Sequence, residues 1–307
     1  MTLFNELFSQ TLPLYLLIVV GFLAGRYLSV NREATARLLI YVVSPAVIFF
    51  GTLQAPLSGA TLSLPLLLFA ICSSVALSTH FLTHRIYKSG TERNILAFAV
   101  GSGNTGYFGI PVALFLYGES AIPIQIIAIQ GFLIFENTLG FYLTARGNFS
   151  ARESIRKVVR LPSLYAFLVG LLCQLLGITI EGPLSHLYPS FRGAYTVLGM
   201  MMLGLGFAQL KRPTIDLRFT SIAFLAKFGA WPALMAGVIL LNQHFLHFYD
   251  AETVKILWLL AIVPLPINSV ALAAELRAHP EKMSVTVLLS TLFALLYMPL
   301  MLGWMAL

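Results

Sequence analysis

Ten apolar stretches recur along the chain, each near the length at which a helix rising about 1.5 Å per residue crosses about 30 Å of hydrocarbon. They run approximately from Leu12 to Leu28, Ala36 to Leu53, Leu62 to Leu82, Asn94 to Tyr117, Ile122 to Thr144, Leu161 to Ile178, Ala194 to Leu210, Leu217 to Leu241, Thr253 to Leu276 and Val285 to Met305. The polar connections are short, so residues 1–307 read as one membrane domain with no separate soluble unit.

Two of the stretches carry a defect. The fourth contains NILAFAVGSGNTGYFGIP (Asn94 to Pro111), with Gly101, Gly103, Gly106, Gly109 and Pro111 in mid-span. Each glycine weakens a helix by about 1 kcal/mol and a proline by about 3 kcal/mol, which argues against a continuous helix. Non-helical backbone at that depth must be buried in protein or line a watery cavity, because lipid satisfies neither N–H nor C=O. In the ninth, IVPLPINSVALAAEL places Pro264 and Pro266 just before Asn268 and Ser269. The two lie five spans apart and therefore cross the membrane in opposite directions. Interrupted segments at matching positions of two halves point to an inverted-repeat transporter with its site near the midplane. The repeats would cover about 8–145 and 160–307. Pro65 and Pro232 are ordinary for membrane helices and carry no weight alone.

Composition removes the main competing reading of the glycines. Apolar residues make up 58% of the chain and charged ones 10%, with a mean hydropathy of +0.87, outside the soluble range. The G-x-G-x-x-G of GSGNTG would mark a dinucleotide turn only in a soluble βαβ unit with an acid about 20 residues on, and Glu119 is too near. Sixteen of the nineteen Lys and Arg lie in or beside odd-numbered connections, where they mark the cytoplasmic side and put both termini outside. The net charge of +7 is thereby divided among loops and implies no nucleic-acid partner. No Lys or Arg precedes the first stretch, Glu6 does, and no A-x-A site follows, so that stretch reads as a retained span rather than a signal peptide. Cys72 and Cys173 fall within spans and suggest buried thiols rather than a disulfide framework.

A broken helix exposes a half-helix N-terminus with free N–H donors and about half a positive charge, which favours an anion such as a carboxylate. Gly103, Asn104, Thr105 and Pro111 in the first break, and Pro266, Asn268 and Ser269 in the second, are the candidate substrate contacts. The two asparagines could instead cap the broken ends. Intramembrane ionisable groups are functional candidates because they are costly. Glu136, beside Asn137, lies about 14 residues and on the order of 21 Å into the fifth span. Lys227 lies near mid-depth of the eighth. Glu136, Asn137 and Lys227 are the ion-coupling candidates, with Glu136 binding a coupling H+ or Na+; the structural alternative is an ion pair of Glu136 with Lys227 or another partner inside the bundle. Glu275 beside Arg277 reads as a solvated helix end, and the pairs His80/His84 and His244/His247 as interfacial packing rather than a metal site. No cofactor is expected. Without H-E-x-x-H, G-x-S-x-G or two neighbouring intramembrane carboxylates, an enzyme is the weaker class. A potential of about 100 mV, inside negative, opposes inward movement of each negative charge by about 2.3 kcal/mol, so dianion uptake needs a co-transported cation or a steep gradient.

GNTGYFGIPVALFLYGESA, together with PLPINSVALAAELRAHPEKMSVTVLLSTLFALLYMPLML, resembles the two signature regions of the auxin efflux carrier family; YVVSPAVIF, LGMMMLGLGFAQL and AKFGAWPAL are similar to it as well. The resemblance implies an all-α membrane protein of ten transmembrane helices, in two inverted five-helix repeats with broken, crossing helices four and nine, related to the bile acid sodium symporters. Helices one, two, six and seven would form the partner bundle, with Gly199, Gly204 and Gly206 permitting close approach. It further implies a small organic anion as substrate, a dicarboxylate such as malate or malonate or an auxin-like acid, moved by alternating access. The crossover residues would be Asn104 and Pro111 in the first repeat and Pro264, Pro266 and Asn268 in the second. The alternative is a sodium- or proton-coupled carrier of a bulkier amphipathic anion of bile-acid type. Only Ala145 to Arg160 joins the fifth and sixth spans, without the long hydrophilic loop of some plant members, which points to a bacterial inner-membrane transporter. A homodimer is one assembly the resemblance allows.

Overall fold

The computed structural model describes residues 2–55, 57–88, 90–145, 152, 162–180, 182–208, 215–276 and 278–305, and no strand occurs among them. Arg146, Arg156, Lys157, Arg160, Lys211, Arg212 and the Arg277 beside Glu275 lie outside the described residues.

Helix α1 spans Thr2–Tyr27. Helices α2 (Arg32–Leu38) and α3 (Ser44–Leu53) are joined by a π-helical turn, Leu39–Val43. Next come α4 (Gly59–Leu82), α5 (Gly90–Gly101), α6 (Ile110–Tyr117), α7 (Ala121–Phe135) and α8 (Phe141–Ala145). The second half contains α9 (Pro162–Leu175), α10 (Leu187–Ala208), α11 (Leu217–Phe224), α12 (Trp231–Leu241), α13 (Ala251–Ile262), α14 (Asn268–Glu275) and α15 (Pro280–Met305). Several starts are capped by short polar side chains that accept an otherwise unpaired first-turn N–H. Asn31 accepts from Ala34, Asp216 from Phe219 and Asp250 from Thr253, while Ser58 and Thr61 cap α4 reciprocally.

Six described segments are long and apolar enough to cross a membrane: Arg32–Leu53, Gly59–Arg85, Ala121–Thr144, Leu187–Ala208, Leu217–Leu246 and Pro280–Trp304. Leu12–Tyr27 and Pro162–Leu175 are shorter apolar helices. The fourth and ninth expected spans are the two that are interrupted. Helix α10 begins seven residues before the expected Ala194 and runs through Arg192, whose guanidinium pairs with Glu119.

Helix α5 stops at Gly101, and the chain leaves helical geometry over Ser102 to Asn104 before a π-helical turn, Thr105–Gly109, leads into α6. Helix α13 stops at Ile262, and Val263 is extended (φ −61°, ψ 150°) ahead of the two prolines. The breaks touch: Asn104 N–H donates to the Pro264 carbonyl at 2.8 Å. Each frees backbone groups that lipid could not satisfy, and one meets the other's need. By contrast, Pro65 sits within α4 without ending it.

Most helix contacts fall within two groups, which are joined by α1 against α15 and α6 and by α3 against α7. In one, α1 lies along α10, α3 along α9, and α10 touches α3. The other contains α4 with α5 and α7, α12 with α13, and α15 against α13 and α14. The α1–α10 contact is backbone on backbone: a methyl group on Gly204 would overlap the Ile18 carbonyl and Phe22 N, and one on Gly21 would overlap Met201. Gly199 faces Tyr107 of the first break at ordinary contact distance, and the atoms nearest a methyl group on Gly206 would be those of the Arg32 guanidinium, 3.6 Å away. Of the three glycines expected to allow close approach, Gly204 is the one that requires it.

At one end of the second group Lys282, in the first turn of α15, reaches both Glu92 of α5 and Asp216 of α11 at 2.7 Å. The hydrogen bonds from Lys282 and from Phe219 N–H hold the Asp216 carboxyl below the usual carboxylate range.

Candidate functional site

A cavity of about 390 Å³ lies where the two breaks meet. Its wall takes Gly103, Asn104 and Thr105 from the first break, Pro266 and Asn268 from the second, and Glu136 with Asn137 from the π-helical turn that continues α7. Ser44 and Tyr195 close it from the other helix group, and Tyr195 stacks on Tyr107 with ring centroids 5.9 Å apart. Apart from Ser163 and Tyr107 the rest of the wall is apolar, including Ile48, Phe98, Phe132 and Phe141. A mostly apolar hollow with a few convergent polar groups is the usual form of a small-molecule site.

The two asparagines behave differently. Asn104 is 3% exposed, its side chain caps nothing, and its Nδ2 has no hydrogen-bond partner. Buried polar groups are nearly always paired, so an unpaired amide at a cavity wall is a donor in want of an acceptor. Asn268 is exposed to the cavity, and its Nδ2 donates to Glu136 Oε2 at 3.1 Å. The other Glu136 oxygen accepts from Ser102 Oγ at 2.5 Å. Glu136 thus joins the start of α14 to the end of α5.

On the far side of Ser102, its carbonyl accepts from Lys227 Nζ at 3.0 Å. Lys227 is fully buried, and its ammonium stands 4.5 Å from the centre of the Trp231 ring. Trp231 in turn donates from Nε1 to the Val100 carbonyl at 2.6 Å. The expected alternative of a Glu136–Lys227 ion pair is not what forms; the two charges are bridged through Ser102, one on its hydroxyl and one on its carbonyl. Lys227 and Glu136 each sit in a π-helical turn, Leu225–Ala230 and Glu136–Gly140. Such turns widen a helix locally and redirect side chains, and they concentrate at functional sites.

Of the expected substrate contacts, Gly103, Asn104, Thr105, Pro266 and Asn268 line the cavity. Pro111 and Ser269 do not. Pro111 is buried in the first turn of α6, and Ser269 is fully buried with its hydroxyl turned back to the Pro266 carbonyl at 2.6 Å. Asn137 lines the cavity and also donates from Nδ2 to the Leu133 carbonyl, while Lys227 lies behind Gly103 rather than in the wall. Backbone donors at both half-helix starts are partly taken: Thr105 N–H donates to Gly103, and Ser269 and Val270 N–H donate to Pro266 and Ile267. Ser102, Trp231, Tyr107 and Tyr195 escaped the reading of the sequence. Ser102 carries a signal, its place between two mid-span glycines, but the aromatic residues are indistinguishable from ordinary span residues until the helices pack. Among the described residues no group of three or more His, Cys, Asp or Glu is placed to hold a metal.

The profile of a family described as "Membrane transport protein" matches residues 6–302, in line with the resemblance to auxin efflux carriers. The chain is 25% identical to the "Putative malonate transporter" of Rhizobium meliloti, over 94% of this chain and 92% of that protein. It is 27% identical to an uncharacterized transporter of Methanocaldococcus jannaschii, over 63% of this chain and 66% of that one. With an uncharacterized transporter of Methanothermobacter thermautotrophicus it shares 25% identity, over 95% of this chain and 96% of that protein.

Proposed function

We propose that this chain, which belongs to the membrane transport protein family, is a secondary carrier of a small organic anion, with malonate or a similar dicarboxylate as the leading substrate. The observation that carries the reading is the unpaired Asn104 amide, held in the wall of the cavity at the meeting point of two broken helices. The cavity, at about 390 Å³, lies toward the small end of the range for small-molecule sites, which favours a compact acid over a bulky one of bile-acid type. The malonate in the name of the Rhizobium meliloti relative agrees with that size. Its apolar walls favour, as a second reading, an auxin-like acid with an aromatic body and one carboxylate.

In this reading the ten segments form two inverted five-helix repeats in an inner membrane, with both termini outside. A substrate carboxylate accepts from Asn104 Nδ2 and from the Gly106, Tyr107 and Phe108 N–H groups in the first turn of the half-helix that starts at Thr105, whose own N–H is taken by the Gly103 carbonyl. Asn268 and Glu136 complete the polar wall, and protonation of Glu136 would compensate one substrate charge. The cavity reaches Phe141 and Ser163, which flank the basic connection between the fifth and sixth spans, so it opens toward the cytoplasmic side. Alternating access then moves the group containing the breaks against α1, α3, α9 and α10.

Counterflow tests the proposal. Proteoliposomes loaded with unlabelled malonate, malate or an indole acid should accumulate the matching labelled acid transiently and saturably. A flux that rises linearly with concentration and shows no exchange would mean a channel, and no flux of any of the three acids would remove the substrate assignment.

A further inference from the structure

The last carbonyls of a helix lack intrahelical partners and carry the negative end of its dipole. At the end of α5 two carbonyls of this terminal stretch are taken by two residues of one neighbouring segment: Val100 accepts from Trp231, and Ser102 from the Lys227 ammonium. That ammonium is fully buried, lies over the Trp231 ring, and has no carboxylate within ion-pair distance among the described residues. It reaches the break because residue 103 is glycine: a Cβ there would stand 2.7 Å from Nζ. In carriers with discontinuous helices, unwound carbonyls and half-helix C-terminal ends are where a coupling cation binds.

We propose that the Lys227 ammonium is a tethered cation that fills this position, so that the protein takes no dissolved sodium at the break. The charge is countered at one remove by Glu136, through the Ser102 hydroxyl. Any charge compensation during turnover then falls to protons rather than sodium.

The test has two arms, and only the flux arm rests on the carrier reading. Purified wild type, Lys227→Ala and Lys227→Gln are melted in detergent in equal concentrations of sodium, methylammonium and choline chloride. Wild type should melt alike in all three. Lys227→Ala should melt lower, and methylammonium should raise it by about 2–4 °C over choline as the small cation enters the emptied position. In proteoliposomes, wild-type malonate counterflow should be equal in sodium and choline. It should fall about tenfold or more in Lys227→Ala and recover in part with methylammonium. Sodium-specific stabilisation or acceleration of the wild type would overturn the inference. So would a Lys227→Ala protein as stable as wild type, or one indifferent to methylammonium. Should neither variant fold, the wild-type comparison decides, since a sodium response refutes the tethered cation and its absence upholds it. If wild type carries no malonate while the melting pattern holds, the substrate assignment fails and the tethered cation stands.

Discussion

Asn104→Ala should separate stability from binding. The side chain is 3% exposed with Nδ2 unpaired, a state that leaves a buried donor unmade at a cost of about 1–3 kcal/mol. Truncation removes that donor and enlarges the hollow by a few atoms, a loss of about 0.5–1.5 kcal/mol on the scale of small core deletions. The two oppose each other, so the substrate-free protein should lie between about 0.5 kcal/mol less stable and about 2.5 kcal/mol more stable than wild type. Binding should behave otherwise. A hydrogen bond to a charged carboxylate is worth about 1.5–3 kcal/mol, so affinity for malonate should weaken by about 10- to 150-fold. Thermal unfolding in detergent measures the first quantity, and half-saturation of counterflow the second. A variant that melts far lower yet keeps its affinity would show that Asn104 holds the break together and faces no ligand.

Glu136→Gln should abolish any dependence of uptake on an imposed proton gradient while keeping the shape of the cavity; flux with an unchanged pH profile would remove Glu136 from coupling. Gly204→Ala should destabilise by about 1–3 kcal/mol, because its methyl group meets α1 backbone that cannot rotate away. Gly206→Ala, with its nearest atoms 3.6 Å off, should stay within about 0.5 kcal/mol, and equal melting of both variants would contradict the packing described. Asp216, whose carboxyl is held below its ordinary value near 3.9, binds more protons unfolded than folded. Its contribution to stability is therefore complete above that value and lost as pH falls through the lower folded one. Asp216→Asn should flatten the acid limb of a melting-temperature profile measured from pH 3 to 7, and an unchanged limb would mean that the Lys282 cluster carries no net stability.

The helical stretches and both interruptions were legible from the chain because the governing forces are local. Apolar runs must satisfy their own backbone in lipid, and glycine or proline disrupts a helix whatever surrounds it. Thus the interruptions at Gly101 to Asn104 and Val263 to Ile267 could be placed before any fold was known. Which groups meet across the breaks was not local. Asn104 and Asn268 look equivalent in sequence, yet one amide is unpaired and the other is bound to Glu136. Pro111 and Ser269 carry the same local signal as their neighbours, but the turn of the backbone buries them. A pairing of Glu136 with Lys227 was the natural expectation from charge; the packing instead inserts Ser102 between them. Hydrophobic periodicity and backbone propensity act over a few residues and can be read along the chain. The partner of a buried polar atom depends on contacts between residues more than a hundred positions apart, such as Lys227 with Ser102, and only the tertiary structure decides those.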